Sequence, residues 1–97
     1  MRIVKRATLL GFAKAHPDAR EPLAAWMLEV KKAKWTTPQQ ALAAFPKASV
    51  IGPRRVKFNI HGGSYRLVVH FNFVAQAAFI RFIGTHEEYD RIDATKV

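Results

Sequence analysis

At 97 residues and 49% apolar composition, the chain is sized for one domain with a real core, which excludes wholesale disorder. It has no cysteine, which excludes disulfides and thiolate metal sites and suits a reducing cytoplasm, the expected location. No apolar run approaches a membrane span, and the start Met1-Arg2-Ile3-Val4 shows no signal-peptide pattern. Sixteen Lys and Arg against seven Asp and Glu give a net charge of +9, so a polyanion is the expected partner, nucleic acid ahead of a membrane surface.

Taken in order, Arg2-Ile3-Val4 predicts a short first strand. Leu9, Phe12 and Ala13 recur at helical spacing between Thr8 and Ala15. His16-Pro17 ends that helix, because a residue before proline avoids the helical region. Asp18 is the expected cap of a second helix, with Glu21 at the capping-box position and Pro22 tolerated in the first turn. Leu23, Trp26, Met27 and Val30 make one apolar stripe, and Lys31, Lys32 and Lys34 crowd the negative end of the helix dipole. Thr37-Pro38 opens a third, short helix with Gln40 as box partner and Leu42 and Phe45 on its apolar side; Pro46 ends it.

From Ser49 the period changes to alternation. Val50-Ile51 predicts an edge strand broken by Gly52-Pro53. Arg55 to Ile60 alternates, with Val56, Phe58 and Ile60 on one face and Arg55, Lys57 and Asn59 on the other. His61-Gly62-Gly63-Ser64 predicts a tight hairpin turn. Tyr65, Leu67, Val69, Phe71 and Phe73 then face one way, and Arg66, Val68, His70 and Asn72 the other. After a loop over Val74 to Ala77, Ile80 and Phe82 alternate with Arg81 and Ile83. Gly84 offers a change of direction, and Thr85 with Glu88 forms a capping box. The helix so started carries His86 and Tyr89 three apart, on one face.

These elements predict an α+β fold over residues 1–97: an antiparallel sheet with the N-terminal helices packed on one face and a short C-terminal helix. A two-residue turn at Gly62-Gly63 places Asn59 opposite Arg66. A four-residue loop at Val74 to Ala77 places His70 opposite Arg81 and Phe71 opposite Ile80. The face not covered by helices then gathers Lys57, Asn59, Arg66, His70 and Arg81, with Arg55 on the same side of its strand.

The chemistry this face supports is metal-free and needs no cofactor. Acidic residues are few and none recur at the spacing of a metal site, and no nucleophile-elbow motif is present. Cleaving RNA by attack of its own 2′-OH needs a base, cations for the phosphate, and an acid for the departing 5′-oxygen. Arg66 and Arg81 suit the phosphate, which guanidinium forks bind bidentately. His86, His70, Lys57 and Tyr89 are the proton-transfer candidates, and Arg55, Asn59, His70 and Lys57 the RNA contacts. Singly, each has a plainer reading. Arginine on a strand protects an edge, His70 is a surface residue, and Tyr89 packs its ring against the sheet. Trp26 and Met27 read as core, and Trp35 as a core plug or a partner contact. Convergence on one face favours the site.

Three stretches carry a family resemblance: Val56-Lys57-Phe58-Asn59-Ile60; Gly62-Gly63-Ser64-Tyr65-Arg66-Leu67-Val68-Val69; and Phe79-Ile80-Arg81-Phe82-Ile83-Gly84-Thr85-His86-Glu87-Glu88-Tyr89-Asp90. With His16-Pro17 and the Trp26 to Trp35 region, they resemble HigB-type toxins of the RelE-like superfamily of toxin–antitoxin systems. The resemblance implies a RelE-like fold and an endonuclease acting on ribosome-bound mRNA. It also implies a cognate helix-turn-helix antitoxin. By position it implies phosphate binding for Arg66 and functional places for His86 and Tyr89, with Arg81 part of the pattern. Where some RelE-like toxins carry a lysine cluster on the central sheet, this chain has Lys57 followed by Asn59, so the base stays open between Lys57 and His86. The other function classes are a non-catalytic RNA- or DNA-binding module, for which the charge alone suffices, and a toxin that blocks translation without cutting.

Overall fold

Alternation in the second half of the chain builds a sheet, and the helical periods of the first half supply the layer that buries one side of it. The computed structural model describes residues 1–97. The strands are β1 (Arg2–Val4), β2 (Ser49–Gly52), β3 (Arg55–Ile60), β4 (Tyr65–Asn72) and β5 (Ala77–Thr85). The helices are α1 (Arg6–Ala15), α2 (Arg20–Lys32), α3 (Pro38–Ala44) and α4 (His86–Asp90), with a 3₁₀ turn over Pro17–Ala19. The sheet order is β1-β5-β4-β3-β2. Strands β2 to β5 pair antiparallel, and β1 adds to β5 in parallel, so the sheet is mixed.

The core lies between the sheet and the helices. Leu9, Leu23, Trp26 and Val30 come down from α1 and α2, and Ala41 from α3, onto Val56, Phe58, Leu67, Val69, Phe71 and Ile80. Phe58 is its aromatic centre: the rings of Trp26, Phe45 and Phe71 meet it edge-on at 5.3, 5.2 and 6.3 Å. Trp35 packs edge-on to Phe45 and Phe71, so it closes the core.

Two predicted caps have other work. Asp18 does not cap α2, because the chain makes a 3₁₀ turn first and α2 begins at Arg20. Its carboxylate accepts instead from the Tyr65 hydroxyl. Thr37 makes no side-chain cap to α3, since Gln40 Oε1 takes the backbone N–H of Thr36 at 2.6 Å.

The hairpin register is as predicted, with Asn59 opposite Arg66. The next one is not. The turn spans residues 73–76, where Gln76 adopts a left-handed φ of 54° and its amide donates to the carbonyls of Phe73 and Trp35. Asn72 therefore pairs with Ala77, Phe71 with Ala78 and His70 with Phe79; the expected pairs His70–Arg81 and Phe71–Ile80 do not form. The turn closes one residue earlier than predicted, which moves the register by two. A bulge between Val68 and Val69 then accommodates Arg81 as an extra residue on β5. Past it the faces exchange: Ile83 packs on the core, while Phe82 lies opposite Val68 on the other side. Gly84 is not required by its φ, which is not positive, but by close approach. A Cβ there would stand 2.6 Å from the Phe82 ring and 3.1 Å from Glu88 Oε1.

Truncating Trp26, 1% exposed, to alanine is expected to cost about 3–5 kcal/mol in urea unfolding. Trp26→Phe should cost clearly less, because it also removes an indole N–H that is buried without a partner.

Candidate functional site

Side chains on the helix-free face stand in cross-strand rows, because paired residues share a face. The first row is Asn59, Arg66 and Gly84, the second Lys57, Val68 and Phe82, and the third Arg55, His70 and Phe79. Arg81 projects, exposed, from the bulge between the second and third. The expected residues thus do share one face, but in two groups separated by the buried Val68.

Lys57, Asn59 and Arg66 form the first group. Arg66 Nη1 donates to the carbonyl of Gly63 at 2.6 Å. Gly63 has φ +95°, and a Cβ there would lie 2.9 Å from that same nitrogen, so the bare glycine makes the guanidinium's seat. Lys57 Nζ donates to Asn59 Oδ1 at 3.2 Å. Burial, and then the positive charge of Arg66, lower the Lys57 pKa from its ordinary value. The amine is thereby easier to deprotonate than a free lysine.

Helix α4 follows directly on the first row. Its capping box is complete: Glu88 N–H donates to Thr85 Oγ1 at 3.1 Å, and Thr85 N–H donates to Glu88 Oε1 at 2.8 Å. Those bonds from Thr85 hold the Glu88 carboxyl below its usual value. The backbone N–H of His86 donates to the carbonyl of Ser64, which ties the first turn of α4 to the β3–β4 turn. His86 Nδ1 lies 3.1 Å from Asp90 Oδ2, one helical turn on. The two side chains are 53% and 60% exposed, so the pair orients the imidazole in open solvent. Tyr89 lies with its ring 6.3 Å from that of Phe82.

The second group is Arg55, His70 and Arg81. His70 is not the plain surface residue of the sequence reading, since its Nδ1 is buried without a partner. Its pKa is lowered first by burial and then by Arg55, Arg81 and Arg54. The residues after α4 reach this group: Arg55 Nη1 donates to the carbonyl of Ala94 at 3.1 Å, with Ile92, Ala94 and Val97 half-buried. The face is therefore partly covered at its β3 end.

Three residues of this arrangement lie outside the candidates named from the sequence. Asp90 was visible four residues after His86, where a helix brings carboxylate and imidazole together. The sequence marks Gly63 only as a turn residue, and its alternation puts Phe82 on the same side as Ile80. No three His, Cys, Asp or Glu side chains cluster so as to hold a metal ion, and no helix is long and apolar enough to cross a membrane.

The helix-free face is thus a small basic sheet that presents arginine and lysine beside a capped helix with a histidine, an arrangement suited to a polyanion. The chain belongs to the HigB toxin family, described as the RelE-like toxic component of a toxin–antitoxin system, whose sequence model matches residues 19–92. It is similar to the mRNA interferase HigB of Escherichia coli O6:H1, 26% identical over 94 residues, which are 95% of this chain and 91% of the relative. It is also similar to the mRNA interferase toxin HigB of Escherichia coli K12 and the mRNA interferase HigB of Shigella flexneri. Each is 27% identical over 92 residues, covering 93% of this chain and 88% of the relative.

Because the folded pKa of His70 lies below its unfolded value of 6.5, the unfolded chain binds the proton first as pH falls. The stability tied to neutral His70 is fully present above 6.5 and is lost as pH drops from there through the folded pKa. His70→Gln should flatten this part of the profile in denaturant melts, and the His70 ring proton should titrate below 6.5 by NMR.

Proposed function

We propose that residues 1–97 form one RelE-like toxin domain that cuts messenger RNA on the ribosome, in the cytoplasm, without a metal ion. The observation that carries this reading is the assembly of Lys57, Asn59 and Arg66 on one sheet face beside the helix that carries His86 and Tyr89. Family membership supplies the toxin role, and the relatives' name supplies the substrate class.

In this reading Arg66 grips the scissile phosphate with a guanidinium already aimed by the Gly63 carbonyl. Lys57 and His86 share the proton transfers. Lys57 has a lowered pKa. His86, with Nδ1 turned to Asp90, leaves Nε2 free to exchange a proton with the 2′-OH or the 5′-oxygen. Tyr89 and Phe82 offer rings against which a base can rest. Arg55, Arg81 and Asn59 hold the strand, with His70 neutral between the arginines. The donor set gives no divalent ion a cage, which favours the 2′-OH route. The inhibiting partner is a helix-turn-helix antitoxin.

Expressed alone, the chain should arrest growth, and co-expression of its antitoxin should restore it; normal growth with verified soluble protein would remove the toxin role. Arg66→Ala should lower cleavage of ribosome-bound mRNA by about 10²–10³-fold. His86→Ala should lower it by about 10²–10⁴-fold. Both should stay within about 0.5 kcal/mol of wild-type stability. Tyr89→Phe keeps the ring, so unchanged cleavage there assigns Tyr89 a packing role, and a fall assigns one to its hydroxyl. If both Arg66→Ala and His86→Ala cut like wild type, this face is not the catalytic site.

A further inference from the structure

Asp18 takes no part in the site above and caps no helix, yet both of its carboxylate oxygens are engaged. The Tyr65 hydroxyl donates to Oδ1 at 2.5 Å, and His61 Nε2 lies 3.5 Å from Oδ2. These two partners flank the β3–β4 turn: His61 opens it, in a left-handed conformation with φ 54°, and Tyr65 is the first residue of β4. The Tyr65 side is rigid. Its residue is 8% exposed, and its ring meets Phe12 at 5.1 Å and His16 at 5.2 Å, with His16 stacked on Phe12. The hydroxyl's pKa is raised, first by the bond to Asp18, as it should be for a proton shared with a carboxylate.

The segment so clamped, His61 to Tyr65, is the one that reaches the reacting groups. The Gly63 carbonyl seats the Arg66 guanidinium at 2.6 Å. The Ser64 carbonyl takes the His86 N–H at 3.1 Å. Tyr65 pairs across the sheet with Thr85, the cap of α4. Three separate links therefore run from one short segment to the arginine and to the helix start, and a carboxylate on the opposite layer holds its Tyr65 end, with the half-exposed His61 3.5 Å away at the other.

We infer that Asp18 is a positioning residue for the cleavage reaction. Its carboxylate locks the β3–β4 turn so that the Gly63 and Ser64 carbonyls hold Arg66 and the first turn of α4 in their working geometry. The inference rests on the assignment of Arg66 and His86 to the site. A misplacement of the order of 1 Å in such groups costs about 10²-fold in rate, so loosening the turn lowers turnover more than RNA binding.

The test uses the full chain with Asp18→Asn, Tyr65→Phe and the double variant. Asp18→Asn keeps shape but loses charge, and Tyr65→Phe keeps the ring but loses the donor. Single-turnover cleavage of ribosome-bound mRNA, well below each variant's melting temperature, should slow by roughly tenfold or more in both single variants. Affinity should stay within about twofold, and the double variant should be no slower than the worse single, because both changes act on the same Asp18–Tyr65 contact. Independently of cleavage, the NMR signals of the Arg66 guanidinium and the His86 amide should shift in both variants. Phenol titration should show the Tyr65 pKa falling in Asp18→Asn. Wild-type cleavage by Asp18→Asn, or unmoved Arg66 and His86 signals, would overturn the inference. If Arg66→Ala and His86→Ala are inactive while Asp18→Asn is not, only the role of Asp18 fails. If those two variants are active, the site assignment fails first, and the NMR shifts alone then decide whether Asp18 holds the turn.

Discussion

The β3–β4 hairpin is the constraint on which the rest of this molecule depends. Its register, with Asn59 across from Arg66, sends Val56, Phe58, Leu67 and Val69 to the helices and Lys57, Arg66 and His70 to the other side. A slip of one residue would bury the cations and expose the core, so the apolar face holds the polar face in place. Because β4 lies at the centre of the sheet, paired on both edges, Arg66 is mounted on the most supported strand in the fold.

Helix α4 sits at the other extreme. Five residues cannot sustain a helix in water, because nucleation costs more than so few bonds return. It persists through the Thr85–Glu88 box, the His86 N–H bond to Ser64, and its packing on β5 and Phe82. His86 and Tyr89 therefore owe their positions to tertiary contacts, and a change in the β3–β4 turn reaches them through the backbone. Arg66 and α4 hang from neighbouring carbonyls of one turn, so the guanidinium and the helix start share a support.

The face is also graded in charge and solvent. At the Arg66 end the cations stand beside α4; at the Arg55 end the residues after α4 cross over them, with Ala94 held by the Arg55 guanidinium. Lys57 and His70 both have lowered pKa values, because each is partly withdrawn from water and faced by arginines. A sheet that accumulates positive charge thus makes its own lysine and histidine weaker bases.

Much of this was determined by the sequence alone. The strand alternation from Arg55 to Asn72, the Gly62-Gly63 turn, the apolar stripe of α2 and the Thr85–Glu88 box are local patterns, and each forms as its own residues dictate. So is the sharing of one face by Lys57, Asn59 and Arg66, which needs only the period of two and one tight turn. Whatever depended on distant partners was decided by the tertiary structure. Asp18 lies in a 3₁₀ turn rather than at the start of α2, and its carboxylate accepts from the Tyr65 hydroxyl, 47 residues away. Gln76, tied to the carbonyl of Trp35, moved the β4–β5 register. The bulge at Arg81 turned Ile83 inward and Phe82 outward, since one extra residue reverses every face that follows it.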